Sequence, residues 1–551
     1  MEPGANTTYV SYTLERGTMP LRLTVKALVN YRSYHSRTEA GDWAMEVQPV
    51  AGGLRVTAFA GATPFYLLAP QGQGAIAPEW YRGFELAVEA YRGLSDLDDN
   101  LLVGCFALDL NPGETVCLIA STEASPDLDG AASLQRYQAH SRTLLDQWQT
   151  AQPTLAPQAP DWVRQLVLAA DQFIVDRPSP DHPEGKSIIA GYHWFGDWGR
   201  DTMISLPGLT LTTGRPDLAR GILTTFAKYV SQGMLPNRFP DDGNPLTDAD
   251  YNTVDATLWY VEAVRQYLDT TDDQVLLAEI FPVLQSIIHW HQKGTRFNIH
   301  LDPADGLIYA GAAEVQLTWM DAKVGDWVVT PRIGKPIEIT ALWYAAARSM
   351  AHFAQRLGQP TAIYDQMAEA TLNGFQQFWQ ADQSYCFDVL DTPAGPDPSL
   401  RPNQLLAISL GFDRDYPPLL TPDQQKQVVT LCGQQLLASC GLRSLSPQHP
   451  QYQGAYGGDQ THRDGAYHQG TVWGWLLGVF AIAHYAVYQN PTLADQFLQP
   501  LAHHLQTAGL GTISEIFDGD APFQPRGCIA QAWSVGEILR AWTTIHRAAA
   551  R

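Results

Sequence analysis

The 551-residue chain predicts a multidomain protein, an N-terminal antiparallel β-sandwich followed by an all-α (α/α)6 barrel. Three observations predict it. The length exceeds what one ordinary hydrophobic core holds. Apolar residues recur with a period of two through residues 1–147 and with a helical period from Asp161 onward. The connections between the helical segments alternate between short and long, the pattern of stacked antiparallel hairpins closed into a ring.

In the first part, Tyr9–Leu14 and Leu21–Val29 alternate apolar and polar residues. Short runs follow at Met45–Val50, Leu54–Phe59, Thr63–Leu68, Gly83–Val88, Leu102–Leu108 and Glu114–Ala120. Gly, Pro, Asn and Asp punctuate them, as in a sandwich. No catalytic constellation is visible there. Residues 131–149 read as a helix, and the Gln- and Pro-bearing stretch 148–160 as a linker to a barrel over 161–551.

About twelve helices are expected in the second part, the first six at roughly 161–176, 200–213, 215–232, 252–269, 274–293 and 337–357. The others are expected at roughly 361–381, 401–411, 421–438, 468–488, 492–508 and 531–549. The long connections precede every second helix, so they gather at one end of the ring. They also hold the unusual residues. The first carries Trp194, Asp197, Trp198, Arg200 and Asp201, and the second Asn237, Arg238 and Asp255. The third carries Trp319, Asp321, Lys335 and Glu338, and the fifth His468, Gln469 and Trp473. The sixth holds Glu515. Aromatic residues interleaved with acids, Arg, Asn and His at one end of a scaffold describe a pocket for neutral sugar rings.

Composition narrows the partners. A net charge of −22 disfavours nucleic acid and anionic membranes. The chain shows no basic and apolar leader and no apolar run long enough to span a bilayer, so the cytoplasm is expected. The six cysteines have no zinc spacing and read as reduced. Leu301–Gly306 faintly resembles a calcium loop but lacks its spaced acids, and reads as a turn. No metal or cofactor is expected.

Cleaving a glycosidic bond takes a carboxylic acid and a carboxylate across it. Asp321, between Trp319 and Trp327, sits where partial desolvation would hold a proton. Glu515, near Ser514 and Asp518, suits the base. Glu314, Asp326 and Glu338 are rival acids, and Asp464, Asp518 and Asp520 rival bases. In a closed ring the third and sixth long loops face each other, which suggests the spacing of an inverting enzyme, roughly 6.5–9.5 Å.

Five strings are long and specific: Trp194–Thr202, Tyr251–Trp259, Leu317–Lys323, Tyr467–Trp473 and Pro525–Ser534. In order and composition they resemble the glycogen debranching enzyme family of bacterial and archaeal type, with its amylo-α-1,6-glucosidase domain. The resemblance covers essentially the whole chain. It implies an (α/α)6 glucosidase barrel behind a β-sandwich, and hydrolysis of α-1,6 branches of glycogen or a related α-glucan with inversion. It implies Asp321 as general acid, Glu515 as general base, and glucose binding by Asp255 and by the Trp, Asp and Arg residues of 194–201. The likeness to the family's N-terminal domain starts partway in, so a reduced sandwich or strands upstream of Met1 are expected. No glucanotransferase barrel of the fused eukaryotic kind is recognisable, so maltosyl transfer by that route is not expected.

Overall fold

A computed structural model describes residues 1–550 except 42, 179–182, 241–243 and 413. Residues 241–243, within the second long loop, thus lie outside the described residues. The chain divides into two compact units, Met1–Leu144 and Leu145–Arg551.

The smaller unit holds strands β1 (Thr7–Thr13), β2 (Leu21–Val29), β3 (Glu46–Val50), β4 (Gly53–Thr57), β5 (Phe65–Leu68), β6 (Gln73–Glu85), β7 (Leu97–Leu110) and β8 (Thr115–Ser121). They form two antiparallel sheets, ordered β1-β8-β5-β4-β3 and β2-β7-β6. The period of two sorts the faces. In β2, Leu23, Val25 and Ala27 turn toward the core of Leu54, Val56, Val103, Phe106 and Leu108. Arg22, on the other face, pairs with Asp109 directly across the ladder at 2.8 Å.

One strand is unlike its expectation. Gly83–Val88 is only the end of β6, which is 13 residues long, followed by a helical turn at Ala87–Tyr91. Pro78 hid the first half of β6. It is tolerated because β6 is an edge strand and its register with β7 shifts between Ile76 and Glu79.

Helix α1 (Gly130–Ala151) spans the division at Leu144, and the larger unit is helical: α2 (Asp161–Gln172), α3 (Gly199–Leu206), α4 (Pro216–Ala227), α5 (Ala256–Thr271), α6 (Gln274–Lys293), α7 (Ile337–Arg356) and α8 (Ala362–Phe375). It continues with α9 (Leu406–Ser409), α10 (Pro422–Gln435), α11 (Gln460–Ala466), α12 (Trp475–Tyr488), α13 (Pro491–Gln496), α14 (Pro500–Thr507) and α15 (Ala532–Ala550). Helices α3, α5, α7, α9, α12 and α15 each pack on the next, and α15 packs back on α3, so they close a ring. The first eleven residues of α7 and of α12 are buried on every side, as befits helices covered all round. Helix α15 and the π-turn after α3 meet backbone to backbone, where a Cβ on Gly208 would lie 1.8 Å from the Gly536 carbonyl.

Several expected boundaries move. The expected helix 492–508 is split into α13 and α14 at Pro500, and 401–411 shrinks to a 3-10 turn and the four residues of α9. Helix α12 starts at Trp475 rather than at 468, so His468 and Gln469 belong to the loop before it. The stretch 148–160 is no loose linker. Residues 148–151 finish α1, and Trp148, Leu155, Ala156 and Ala159 are buried in the core of the larger unit. Among the described residues no helix is long and apolar enough to cross a membrane.

Candidate active site

The site is built where the loops entering α3, α5, α12 and α15 meet the connection entering α7. Arg200, in the first turn of α3, ties three of these arms together. Its Nε donates to Asp255 Oδ1 (2.7 Å), its Nη1 to Asp321 Oδ2 (2.9 Å) and its Nη2 to the Leu317 carbonyl (3.3 Å). Thr253 Oγ1 donates to the same Asp255 oxygen at 2.7 Å. Burial opposes the charge of Arg200, but Asp255, Asp321 and Asp201 hold it protonated. Asp321 keeps 31% of its side chain exposed. Desolvation nonetheless pushes its carboxyl above the usual range; Arg200 opposes the shift and Asp255 adds to it.

Glu515 is fixed from the other side. A ladder of short strands pairs Val472 with Phe517, Trp473 with Ile516, and Ile516 with Arg526, which holds the fifth and sixth loops together. The Cys528 amide donates to Glu515 Oε2 at 2.7 Å, and the Tyr467 hydroxyl donates a short hydrogen bond to Oε1. Gly527 makes room. Its φ of +64° is left-handed, and a Cβ there would lie 2.3 Å from Glu515 Oε2. Burial and the neighbouring Glu515 raise the Tyr467 phenol well above its ordinary value, so it is a neutral donor.

Asp201 joins the two halves. It is buried, and Gln531 Nε2 donates to its Oδ1 at 3.4 Å. Burial pushes its carboxyl up to about 7, with Arg200 opposing and the charges of both Asp321 and Glu515 adding. Tyr467 is likewise within electrostatic reach of both acids. Asp321 and Glu515, on different arms, are therefore both within electrostatic reach of Asp201 and Tyr467. Two acceptors, Asp255 Oδ2 and Asn237 Oδ1, are buried with no hydrogen-bond partner among the described residues.

The structure disposes of the other expected residues differently. Asp197 accepts from Ser187 Oγ at 2.9 Å and pairs with Arg177 at 3.4 Å. Trp194 and Trp198 are half-buried, joined edge-on through Phe195, and Arg238 is exposed. Trp319 and Trp473, expected among the sugar-binding residues, have 3% and 1% exposure and offer a sugar no open face. Trp319 stands edge-on to His468, Trp473 and Trp475, and its Nε1 donates to Asn403 Oδ1 at 2.8 Å. Such large apolar rings gain more from mutual burial than from solvent. His468 stacks flat on Trp473, takes the Ala322 amide on Nδ1, and is held neutral by burial, with nearby arginines adding to the shift. Gln469 is spent on the Val329 carbonyl and on Arg401.

Lys335 and Glu338 are also corrected, because buried charges need partners. Lys335 Nζ lies 2.7–2.8 Å from Asp302, Asp305 and Asp391, three acids whose oxygens sit within 4.8 Å of one another, so an ammonium fills the place a cation would take. Glu338 forms a doubly hydrogen-bonded pair with Arg332, which also binds Asp388 at 2.9 Å. Burial pushes its carboxyl up against the pull of Arg332. Glu338→Ala is therefore expected to destabilise the fold by about 3 kcal/mol, read as a lower urea midpoint. A loss below about 1 kcal/mol would mark the pair as dispensable. Of the rivals, Glu314 and Asp326 are exposed, Asp518 pairs with Arg526 at 2.9 Å, and Asp520 accepts from Tyr452 at 2.9 Å.

Sequence reasoning missed Tyr467, Gln531 and Gly527. Tyr467 stands in a recognised string, but an aromatic among polar residues gives no sign that its hydroxyl, rather than His468 or Gln469, meets Glu515.

A family profile described as "Amylo-alpha-1,6-glucosidase" matches residues 168–540. The chain belongs to that family. A second profile, "Glycogen debranching enzyme N terminal", matches residues 1–117. The glycogen debranching enzyme of Saccharomyces cerevisiae is 26% identical over 440 residues, which cover 60% of this chain and 27% of the yeast protein. The chain thus spans about a quarter of that curated relative's length. Among solved structures, the GH63 mannosylglycerate hydrolase of Thermus thermophilus in complex with Tris superposes with a TM-score of 0.50 at 15% identity, covering 69% of this chain and 99% of that one. Its complex with glucose gives the same values. At this identity the likeness is one of fold. The family is one of glycoside hydrolases.

Proposed function

We propose that this chain hydrolyses the α-1,6-glucosidic branch linkages of glycogen or a related α-glucan in the cytoplasm, with inversion at the anomeric carbon. In this reading residues 1–147 form the β-sandwich and the closed ring of helices is the inner layer of an (α/α)6 barrel over 161–551. The observation that supports it best is the pair of differently prepared carboxyl groups on separate arms. Asp321 is desolvated, which pushes its carboxyl above the usual range, and Glu515 is held by two donors.

Asp321 gives its proton to the glycosidic oxygen as the C1–O bond breaks, and Arg200 at 2.9 Å takes up the negative charge that Asp321 acquires. The Tyr467 hydroxyl and Cys528 amide aim Glu515. Glu515 removes a proton from a water attacking C1 from the opposite face. The C1–OH bond forms on the side away from the leaving group, so the first product is β-glucose. Asp201, neutral below about 7, and Asp255 offer hydrogen bonds to the hydroxyls of the glucose being released.

The test is glucose release from a phosphorylase-limit dextrin and from linear maltooligosaccharides, followed by NMR. Release of β-glucose from the branched substrate alone is the expected result. Equal release from linear chains would point to a glucoamylase- or trehalase-like enzyme, and α-glucose as first product would exclude inversion. Glucan binding without release would leave a non-catalytic binding protein.

A further inference from the structure

Of the sixteen tryptophans, Trp327 is the only one exposed among the described residues, at 47%. It stands on a two-stranded hairpin, Lys323–Val324 with Trp327–Val328, which begins two residues after Asp321. The hairpin packs on helix α11. There the far edge of the indole, Cη2 and Cζ3, rests over Gly465, where any Cβ would come within 3.2 Å of the ring. Two residues beyond Gly465 is Tyr467, whose hydroxyl holds Glu515. One open indole is thus anchored where the arm of Asp321 meets the arm that positions Glu515.

The other indoles near the site are at least half-buried; Trp319, Trp473, Trp475 and Trp533 pack against one another. Beside Asp321 stand Arg200, Asp201 and Asp255, all buried and polar, which suits the hydroxyls of an enclosed glucose. Whatever part of a substrate stays outside meets the open ring first. The apolar face of a pyranose stacks on such a ring as other flat or apolar groups do.

We infer that Trp327 is a specificity-determining residue, the stacking platform for the glucan chain that leaves with the glycosidic oxygen. The inference rests on the debranching reading and adds to it where the main chain lies. Its test compares wild type, Trp327→Ala and Trp327→Phe on a glucosyl-branched maltooligosaccharide and on α-glucosyl fluoride, whose leaving group is one atom. Trp327→Ala is expected to raise KM for the oligosaccharide by about tenfold, a modest aromatic contact, with kcat nearly unchanged. Trp327→Phe should restore most of the affinity, and all three proteins should hydrolyse the fluoride alike. An unchanged KM on the oligosaccharide in Trp327→Ala overturns the inference. So does an equal loss on the fluoride, which would make the residue structural. A wild type inactive on the oligosaccharide would overturn the debranching reading and this one with it, whereas an active wild type matched by Trp327→Ala removes this one alone.

Discussion

Asp321→Asn is expected to lower glucose release from a limit dextrin by roughly 10²–10⁴-fold, the usual worth of a positioned general acid. The amide keeps the shape and accepts a hydrogen bond from Arg200 through its carbonyl oxygen, so folding and glucan binding should survive. The deciding measurement varies the leaving group. Fluoride departs without a proton, so the variant should hydrolyse α-glucosyl fluoride within about tenfold of wild type. Equal losses on dextrin and fluoride would remove Asp321 from the acid's role. The pH profile makes the same point. Asp321 must be protonated to act, and desolvation raises its carboxyl, so wild-type kcat/KM should fall as pH rises through that raised value. Asp201, pushed up to about 7, also loses its proton as pH rises. An Asp201→Asn variant that retains the alkaline fall would assign the fall to Asp321.

Glu515→Gln should cost a similar factor, roughly 10²–10⁴-fold, but with the opposite substrate dependence. Without a base the water is no longer activated, so the fluoride is hydrolysed as poorly as the dextrin. Azide needs no deprotonation. Added azide should restore turnover of α-glucosyl fluoride in Glu515→Gln and form β-glucosyl azide, because it attacks from the vacated face. No rescue, together with full activity of the variant on fluoride, would mean that another group activates water. Tyr467 and the Cys528 amide hold Glu515 without touching the sugar in this scheme.

Much of the scaffold was legible because its causes are local. Strand β2 runs Leu21–Val29 as its alternation demands. Helix α6 runs Gln274–Lys293 because Asp273 caps its first turn, accepting from the Leu276 amide, and Gly294 ends it. Where local signals conflict the reading slips, as at Pro78 in β6 and at Pro500 between α13 and α14. The five strings that resemble the family lie in the loops where the structure gathers Arg200, Asp201, Asp255, Asp321 and Glu515.

What the sequence determined alone is the order of strands and helices, the end of the ring where long loops collect, and the residues in those loops. Tertiary structure decided which partners each of them meets. Arg200 finds its partners at 255, 317 and 321, Lys335 at 302, 305 and 391, and Glu515 at 467 and 528. A loop has no period to assign its inward face. Its polar groups settle wherever distant segments supply the counter-charge or donor that burial requires. Trp319 and Trp473 turned inward for the complementary reason, since their rings pack edge-on on each other with centroids 5.2 Å apart, and Trp327 was left outside.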